Sequence, residues 1–161
     1  MAEKFTSRTS WREKLERTDH SKIVEIPEAM AKRLGNGVML IPKPLDVDAL
    51  SRKTKKGKLV TVSAIRSRLA RDNNVDVACP LTTGIFIRIA AEAAEEALSN
   101  GSKSITPYWR VVRDDGSLNE KFPGGTKAQA RRLKEEGHMI APGKGKKPPR
   151  VRDFDKSLMK L

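Results

Sequence analysis

Cysteine, histidine and aromatic residues are scarce in this chain of 161 residues, which holds one Cys, two His, one Tyr and two Trp. A single cysteine excludes an internal disulfide. One Cys and two His fall short of the four ligands that a structural zinc site needs. We therefore expect no disulfide, no metal site and no cofactor.

Long apolar segments are absent as well. No run of 18 or more apolar residues occurs, and the first 20 residues contain no apolar stretch of signal-peptide length. The basic segments do not combine their charges with a strongly apolar helical face, as a membrane-surface helix would. We expect a monomeric cytoplasmic protein without membrane contact, associated with the nucleoid if it is bacterial.

Positive charge, in contrast, is abundant and concentrated. The formal net charge is +13. Residues 51–71 hold eight Lys or Arg and no acidic residue, and residues 141–161 hold seven basic residues against two Asp. Because charges balance in the remainder of the chain, these two segments create a local field that attracts a polyanion. The alternative is a solvated basic face that serves only solubility.

Capping and turn residues divide the chain into elements. Ser10, with Glu13 as its capping-box partner, starts a short helix in a charged arm. Pro27 opens and Gly35 closes a helix between two strand-like segments. We expect a mostly α fold with short β elements in four zones: an N-terminal arm (1–22), an N-terminal extension with short strands and a helix (23–50), a helix-turn-helix domain (51–140) and a basic C-terminal wing or tail (141–161).

The third zone contains two predicted helices. Residues 59–73 place apolar side chains four positions apart on one helical face, with Thr61 or Ser63 as the cap. The run 81–101 is rich in Ala and Glu and ends at Asn100 and a glycine, as helices commonly do. Joined by a short polar turn, the pair resembles a helix-turn-helix, although many helical domains contain such a pair.

The only Tyr stands beside a Trp in the motif Pro107-Tyr108-Trp109-Arg110-Val111. This motif resembles the active-site Pro-Cys-His-Arg-Val of the alkylguanine-DNA alkyltransferases, which repair DNA by moving an alkyl group onto their own cysteine. The resemblance implies a winged-helix domain over residues 51–140, with the N-terminal 50 residues outside the match. It runs from Gly57 to His138 and includes Gly57-Lys58-Leu59-Val60-Thr61, Asn100, Gly124-Gly125 and Glu136-Gly137-His138.

The residues that differ from this family bear on catalysis. Alkyl transfer needs a thiolate, whose pKa the family lowers through an adjacent His held by a Glu. Here Tyr108 and Trp109 replace the cysteine and the histidine. A phenol has a pKa of about 10, and an indole donates a hydrogen bond but accepts no proton. Since the only thiol, Cys79, lies between the two predicted helices, we predict that the chain is not an enzyme.

One branch of the family, the alkyltransferase-like proteins, has lost the cysteine; its members bind alkylated DNA, extrude the damaged base and pass the lesion to excision repair. The resemblance to this branch implies double-stranded DNA with alkylated guanine, and excision-repair proteins, as partners. An aromatic Tyr108 would contact the extruded base, which is worth about 1–3 kcal/mol. The implied base pocket comprises Pro107, Tyr108, Trp109, Arg110, Asn100, Gly124, Gly125 and Glu136. The implied DNA contacts are Lys53, Lys55, Lys56, Lys58, Thr61, Ser63, Arg66, Thr82, Thr83 and Arg88.

Several departures from the family pattern keep alternatives open. Val62 stands where the family has the Tyr that rotates the target phosphate, and the family's Arg finger aligns with either Leu81 or Arg88. Bulkier residues, Ile85 among them, partly replace the small ones of the family's DNA-binding helix. The alternatives are a module that binds DNA or RNA without reading damage, and a protein-interaction module on the inherited fold. Tyr108 would then be a core aromatic.

Overall fold

A computed structural model describes residues 10–18 and 20–161, over which the chain is mostly helical with short strands, as predicted. The part of the predicted arm before Ser10 lies outside the described residues. The helices are α1 (Trp11–Glu16), α2 (Glu28–Leu34), α3 (Pro44–Arg52), α4 (Val62–Asp72), α5 (Pro80–Ser99), α6 (Gly125–Glu135) and α7 (Phe154–Ser157). The strands are β1 (Lys22–Glu25), β2 (Val38–Ile41), β3 (Val60–Thr61), β4 (Val77–Ala78), β5 (Val111–Val112), β6 (Ile140–Ala141) and β7 (Arg150–Val151). A 3-10 turn, Tyr108–Arg110, precedes β5.

Local sequence signals set several helix ends. The Ser10 hydroxyl accepts the N–H of Glu13 and starts α1, as predicted. Of the two predicted caps of α4, Thr61 is the one whose hydroxyl accepts a backbone N–H, that of Ala64. At the end of α2, Gly35 adopts φ +80°, a left-handed conformation that glycine takes without strain.

The connection between α4 and α5 is a strand and not a plain polar turn. β4 lies in this connection and pairs in parallel with β2, with Met39 opposite Val77 and Leu40 opposite Ala78. β2 also pairs antiparallel with β1, which gives the sheet order β1-β2-β4. The N-terminal extension is therefore joined to the helical domain through a shared sheet.

A second, parallel ladder forms between β3 and β5, with Val60 opposite Val111. On the other side of β3, the N–H of Leu59 donates to the Ser157 carbonyl and the N–H of Met159 donates to the Leu59 carbonyl. β6 and β7 form an antiparallel hairpin. The C-terminal zone thus provides both a hairpin and a tail whose backbone is hydrogen-bonded to the body.

α5 is the central helix and is buried on two faces. Ile87 and Ala91 pack into the main core, whereas Ala90 and Ala93 pack against Leu15 of α1. The short alanine side chains allow neighbouring helices to approach closely. Residues 11–16 therefore pack on the body, and none of the described helices is long and apolar enough to cross a membrane.

Candidate nucleic-acid interface

Tyr108, which the sequence predicted to line a base pocket, is a core residue that is 2% exposed. Its ring packs edge-to-face against the rings of Trp109 and Phe122, with centroids 5.4 and 5.2 Å away. Its hydroxyl donates a 2.6 Å hydrogen bond to Glu95 Oε1. Burial, followed by this hydrogen bond, raises the pKa of the phenol well above its usual range. The structure corrects the prediction, because the ring faces packed side chains and not an open pocket.

Trp109 is held by a hydrogen bond and by contacts of its ring with neighbouring side chains. Its indole Nε1 donates a 2.8 Å hydrogen bond to Glu136 Oε2, and the guanidinium carbon of Arg132 lies 4.4 Å from the ring centroid. The buried amide of Gln129 donates to the carbonyls of Trp109 and Val111. The indole of Trp109 therefore serves as a structural hydrogen-bond donor to Glu136.

Glu136 anchors this cluster. Arg110 Nε donates to Glu136 Oε1 at 2.9 Å, and the N–H of Gly57 donates to the same oxygen at 3.2 Å. Arg110 also donates from Nη1 to the Thr54 carbonyl at 2.6 Å. Burial works to raise the pKa of Glu136, but the hydrogen bonds from Arg110, Trp109 and Gly57 outweigh it and lower the pKa below its usual value. Glu136 thus ties residues 54–57 to the 3-10 turn.

The other predicted pocket residues do not form a pocket with Tyr108. Pro107 is buried next to it, and Asn100 lies exposed at the carboxyl end of α5. Gly124 and Gly125 form the start of α6, with φ values of +75° and +68°. A side chain at Gly124 would meet the Cβ of Ala128 at 2.6 Å, so this glycine is required by a close approach within the turn.

A shallow cavity of about 450 Å³ lies beside the Trp109 cluster, but most of its cations are neutralised. Arg52 pairs with Asp48, Arg110 with Glu136, and Arg132 with Glu95. Paired charges attract an external polyanion weakly, because their carboxylate partners cancel the field. The cavity is lined by Arg52, Leu98, Lys103, Ser104, Ile105, Pro107, Trp109, Arg110 and Arg132.

A different surface has the character of an interface: a groove of about 500 Å³ at the start of α5. Leu81, Ile85 and Arg88 share one helical face because they are spaced by four and three residues. Leu81 is 69% and Ile85 48% exposed, and because they adjoin on one helical face they form a contiguous apolar patch, which is typical of a contact surface. The rest of the groove is formed by Trp11, Lys14, Val62, Pro80, Gly84, Ile89, Arg113, Asn119 and Lys121.

Four cations surround this apolar floor: Lys14, Arg88, Arg113 and Lys121. None of them forms an ion pair with a described residue, in contrast to the arginines beside Trp109. They come from α1, from α5 and from the segment after β5, so the fold brings together charges that are distant in sequence. Unpaired cations around an apolar groove favour a ligand that is both anionic and partly apolar.

α1 supplies a part of the groove that the sequence analysis missed. The Trp11 ring lines it, and Lys14 Nζ lies 4.2 Å from the ring centroid. The carboxylate of Glu96, on α5, accepts the backbone N–H groups of Trp11 and Arg12 at 3.0 and 3.1 Å. This carboxylate satisfies free N–H groups of the first turn of α1. The available signal was Trp11 and Leu15 at helical spacing after the Ser10 cap, an amphipathic helix that needs a partner.

Of the predicted DNA contacts, Arg88 lies in the groove. Leu81, the other candidate for the position of the family's Arg finger, lies there as well. Thr61 caps α4, Ser63 is hydrogen-bonded to Asp114, and Arg66 Nε donates to the Ala78 carbonyl. These three side chains already have intramolecular partners. Thr82 is half-buried and Thr83 is buried in the core, which contradicts the prediction that Thr83 contacts DNA.

The predicted lysines form a separate surface, which we call the lysine turn: Lys53, Lys55, Lys56 and Lys58. All four are exposed and none has an ion-pair partner among the described residues. The turn leads into the amino end of β3, whereas Val62, just after β3, lines the groove. The lysine turn thus precedes the two-residue strand β3 in the chain, and the groove residue Val62 follows it.

Comparisons with known proteins find two similar solved structures. No model of a known family matches the sequence, and no curated protein matches it. The chain is similar to a crystal structure of S. pombe Atl1 in complex with damaged DNA containing O6-carboxymethylguanine, at 18% identity and a TM-score of 0.48. It is also similar to S. pombe ATL in complex with DNA, at 18% identity and a TM-score of 0.46. Each match covers 73% of this chain and 94% of the other, and at these values it does not by itself assign a function.

Proposed function

We propose that this protein is a non-catalytic nucleic-acid-binding protein that binds double-stranded DNA along the groove at the start of α5. The observation that carries the proposal is the set of four unpaired cations around the exposed Leu81 and Ile85. Lys and Arg side chains bind phosphates and release counterions, which supplies most of the affinity for duplexes. The motif resemblance between Gly57 and His138 favours DNA over other polyanions.

The groove divides the work of binding between its rim and its floor. Lys14, Arg88, Arg113 and Lys121 would contact phosphates, which position a protein without reading sequence. Leu81 and Ile85 would contact sugars or base edges, because apolar side chains gain nothing from a phosphate. The Tyr108 cluster takes no direct part and keeps the carboxyl end of α5 in place through Glu95.

Recognition of an extruded alkylated guanine is a second candidate, favoured by the apolar floor and the ring of Trp11 in the same groove. Extruding a base costs a few kcal/mol and costs least where pairing is already damaged. A base that entered the groove would meet Leu81, Ile85 and Trp11, not Tyr108. Lesion preference would then come from the groove, with excision-repair proteins as later partners.

The positions of the candidate nucleophiles support the proposal that this chain transfers no alkyl group. Cys79 is 7% exposed and immediately precedes α5, whereas Tyr108 is bonded to Glu95 near the carboxyl end of the same 20-residue helix. Tyr108 is buried and hydrogen-bonded to a carboxylate, which opposes formation of a phenolate. We propose that no residue of this chain accepts an alkyl group.

The test is a titration of duplex DNA, with and without O6-alkylguanine, and of single-stranded RNA, at several salt concentrations. In the triple variant Arg88→Ala, Arg113→Ala, Lys121→Ala, three lost phosphate contacts should reduce the log–log salt slope by about 2.7. The matched control is Lys22→Ala, Lys32→Ala, Arg33→Ala, which removes the same charge from exposed positions on β1 and α2.

Each outcome of this titration is decisive. An unchanged slope in the triple variant, or an equal reduction of the slope in the control, would show that the groove is not the binding surface. Equal affinity for RNA and duplex would favour the module without damage recognition, and no binding of any nucleic acid would favour the protein-interaction module. Tighter binding to the alkylated duplex would support lesion recognition.

A further inference from the structure

We infer that Glu96 is a positioning residue for the groove: its carboxylate fixes the amino end of α1 against α5, so that Trp11 and Lys14 are in place before DNA binds. The inference rests on the proposed function, because it assumes that the groove holds the duplex. It assigns a role in DNA binding to an acidic residue that does not itself line the groove.

The first turn of α1 depends on Glu96 for its hydrogen bonds. The N–H groups of a first turn have no partner within their own helix. In α1, the Ser10 hydroxyl accepts the N–H of Glu13. The N–H groups of Trp11 and Arg12 donate to Glu96 Oε2 and Oε1 at 3.0 and 3.1 Å. A side chain of another helix therefore accepts two of these three bonds.

The remaining attachment of α1 is at its other end. α1 spans six residues, and a helix this short is not stable in isolation. Leu15 is its one buried residue and packs on Ala90 and Ala93, whereas Trp11 is only partly buried against the same cluster. A cavity of about 110 Å³ lies between α1, α3 and α5, so the packing beneath α1 is incomplete. Leu15 thus holds the carboxyl end of α1, and Glu96 holds the amino end.

The end that Glu96 holds is the end that carries a groove residue. Glu96 lies seven residues, or about two turns, beyond the groove residue Ile89 on the same face of α5. Lys14 follows Trp11 by three residues, and its Nζ lies 4.2 Å from the ring centroid, so both side chains reach the groove together. If the bonds to Glu96 are lost, both side chains must be ordered when DNA binds, which lowers affinity.

The charge of Glu96 separates a positioning role from simple electrostatics. Removing a carboxylate makes the net charge of the protein more positive, and this change alone strengthens the attraction of a polyanion. Loss of positioning has the opposite effect on affinity. Weaker DNA binding by a more positive variant therefore identifies positioning.

The experiment titrates duplex DNA into the full-length protein and its variants, and measures hydrogen exchange of the α1 amides on the same samples. Glu96→Ala should bind about tenfold more weakly, the scale of ordering two side chains, and the N–H groups of Trp11 and Arg12 should exchange faster. Glu96→Gln removes the same charge but keeps one oxygen as an acceptor, so it should recover part of the affinity. The matched control Glu135→Ala removes an exposed carboxylate from α6 and should bind at least as tightly as the wild type.

Several results would overturn the inference. Glu96→Ala could bind as tightly as Glu135→Ala, or it could lose affinity without faster exchange in α1. An equal loss in Glu96→Gln and Glu96→Ala would remove the acceptor oxygen as the cause. Faster exchange throughout α5 would assign Glu96 to the stability of the whole fold. Absence of duplex binding by the wild type would instead reject the proposed function itself, so the two failures are distinguishable.

Discussion

The two regions that contain the chain's Trp residues differ in how their polar groups are satisfied. Around Trp109, the indole N–H, the Tyr108 hydroxyl and the Arg110 guanidinium all have carboxylate partners. Around Trp11, the four cations that line the groove, Lys14, Arg88, Arg113 and Lys121, form no ion pair within 4 Å with a described residue. A cluster whose polar groups are all paired stabilises the fold, whereas unpaired cations beside exposed apolar side chains remain available to a ligand. The motif that was most prominent in the sequence is therefore the structural one.

The comparison also separates two kinds of positive charge. Arg110 and Arg132 contribute to the net charge of +13, but their fields are cancelled by Glu136 and Glu95. Arg88 and Arg113 line the groove and form no ion pair within 4 Å with a described residue, and Arg88 interacts with Glu92 only at longer range. The net charge therefore overstates the number of cations that are available to a polyanion. Which cations can bind it depends on whether they are already paired with carboxylates.

The largest expected effect tests whether the Tyr108 cluster is structural. Tyr108→Ala should destabilise the fold by about 3–5 kcal/mol, the usual cost of truncating a buried aromatic side chain. Thermal or denaturant unfolding measures this loss. Binding at a temperature where the variant is folded should be unchanged, because the ring is not in the groove. A variant that kept its stability and lost its DNA affinity would show that Tyr108 belongs to the binding surface and not to the core.

A matched variant separates the ring from the hydroxyl. Tyr108→Phe keeps the packing against Trp109 and Phe122 and removes only the hydrogen bond to Glu95. A hydrogen bond to a charged group contributes about 1.5–3 kcal/mol. Arg132 still pairs with Glu95 in this variant, so the loss should fall at the lower end.

The second prediction concerns Glu136 and pH. Glu136→Gln should cost up to about 3 kcal/mol at neutral pH, because it leaves the partly buried Arg110 without its ion-pair partner. The pKa of Glu136 is lowered in the folded protein, so its stabilisation is present above the ordinary carboxyl value of 4.5 and is lost as the pH falls through the folded value. Unfolding from pH 7 to pH 3 should therefore depend less on pH in the variant. An unaltered pH profile would show that Glu136 does not stabilise the cluster as an anion.

Local signals predicted much of the fold. Caps such as Ser10 and Thr61, and the glycine that ends α2, act through bonds within a few residues and can be read directly from the sequence. β4 was missed because a two-residue strand has no periodicity and depends on pairing with β2. The packing of α1 on α5 was missed for a similar reason, since it rests on contacts between distant parts of the chain.

The site was predicted only in part. Arg88 and Leu81 had been alternatives for one position, yet they share a helical face and both line the groove. Ile85 had been a departure from a family pattern, but its spacing in α5 places it on the same face. Tyr108 could not be placed from sequence, because its burial depends on the distant side chains of Glu95 and Phe122.

The third prediction tests whether Trp11 in the groove contacts DNA. Trp11→Ala should weaken DNA binding by about 1–3 kcal/mol if the ring contacts a base. Ser10→Ala is the control, because it costs about 1 kcal/mol of helix stability without removing the ring. Duplex titrations and unfolding curves on the same samples measure both. Equal loss of affinity in the two variants would mean that α1 acts only by packing on α5.

The smallest expected effect is zero, and it concerns alkyl transfer. Wild-type protein incubated with O6-alkylguanine duplex should show no gain in mass by mass spectrometry. Tyr108→Cys should remain inert as well, because the position is 2% exposed and adjoins Glu95, whose charge would raise the pKa of a thiol there. The double variant Tyr108→Cys, Trp109→His should also stay inert. Its histidine can bond Glu136, but position 108 remains buried and inaccessible to DNA. A stoichiometric gain in mass in either variant would show that DNA reaches position 108, and the distinction between a closed cluster and an open groove would then fail.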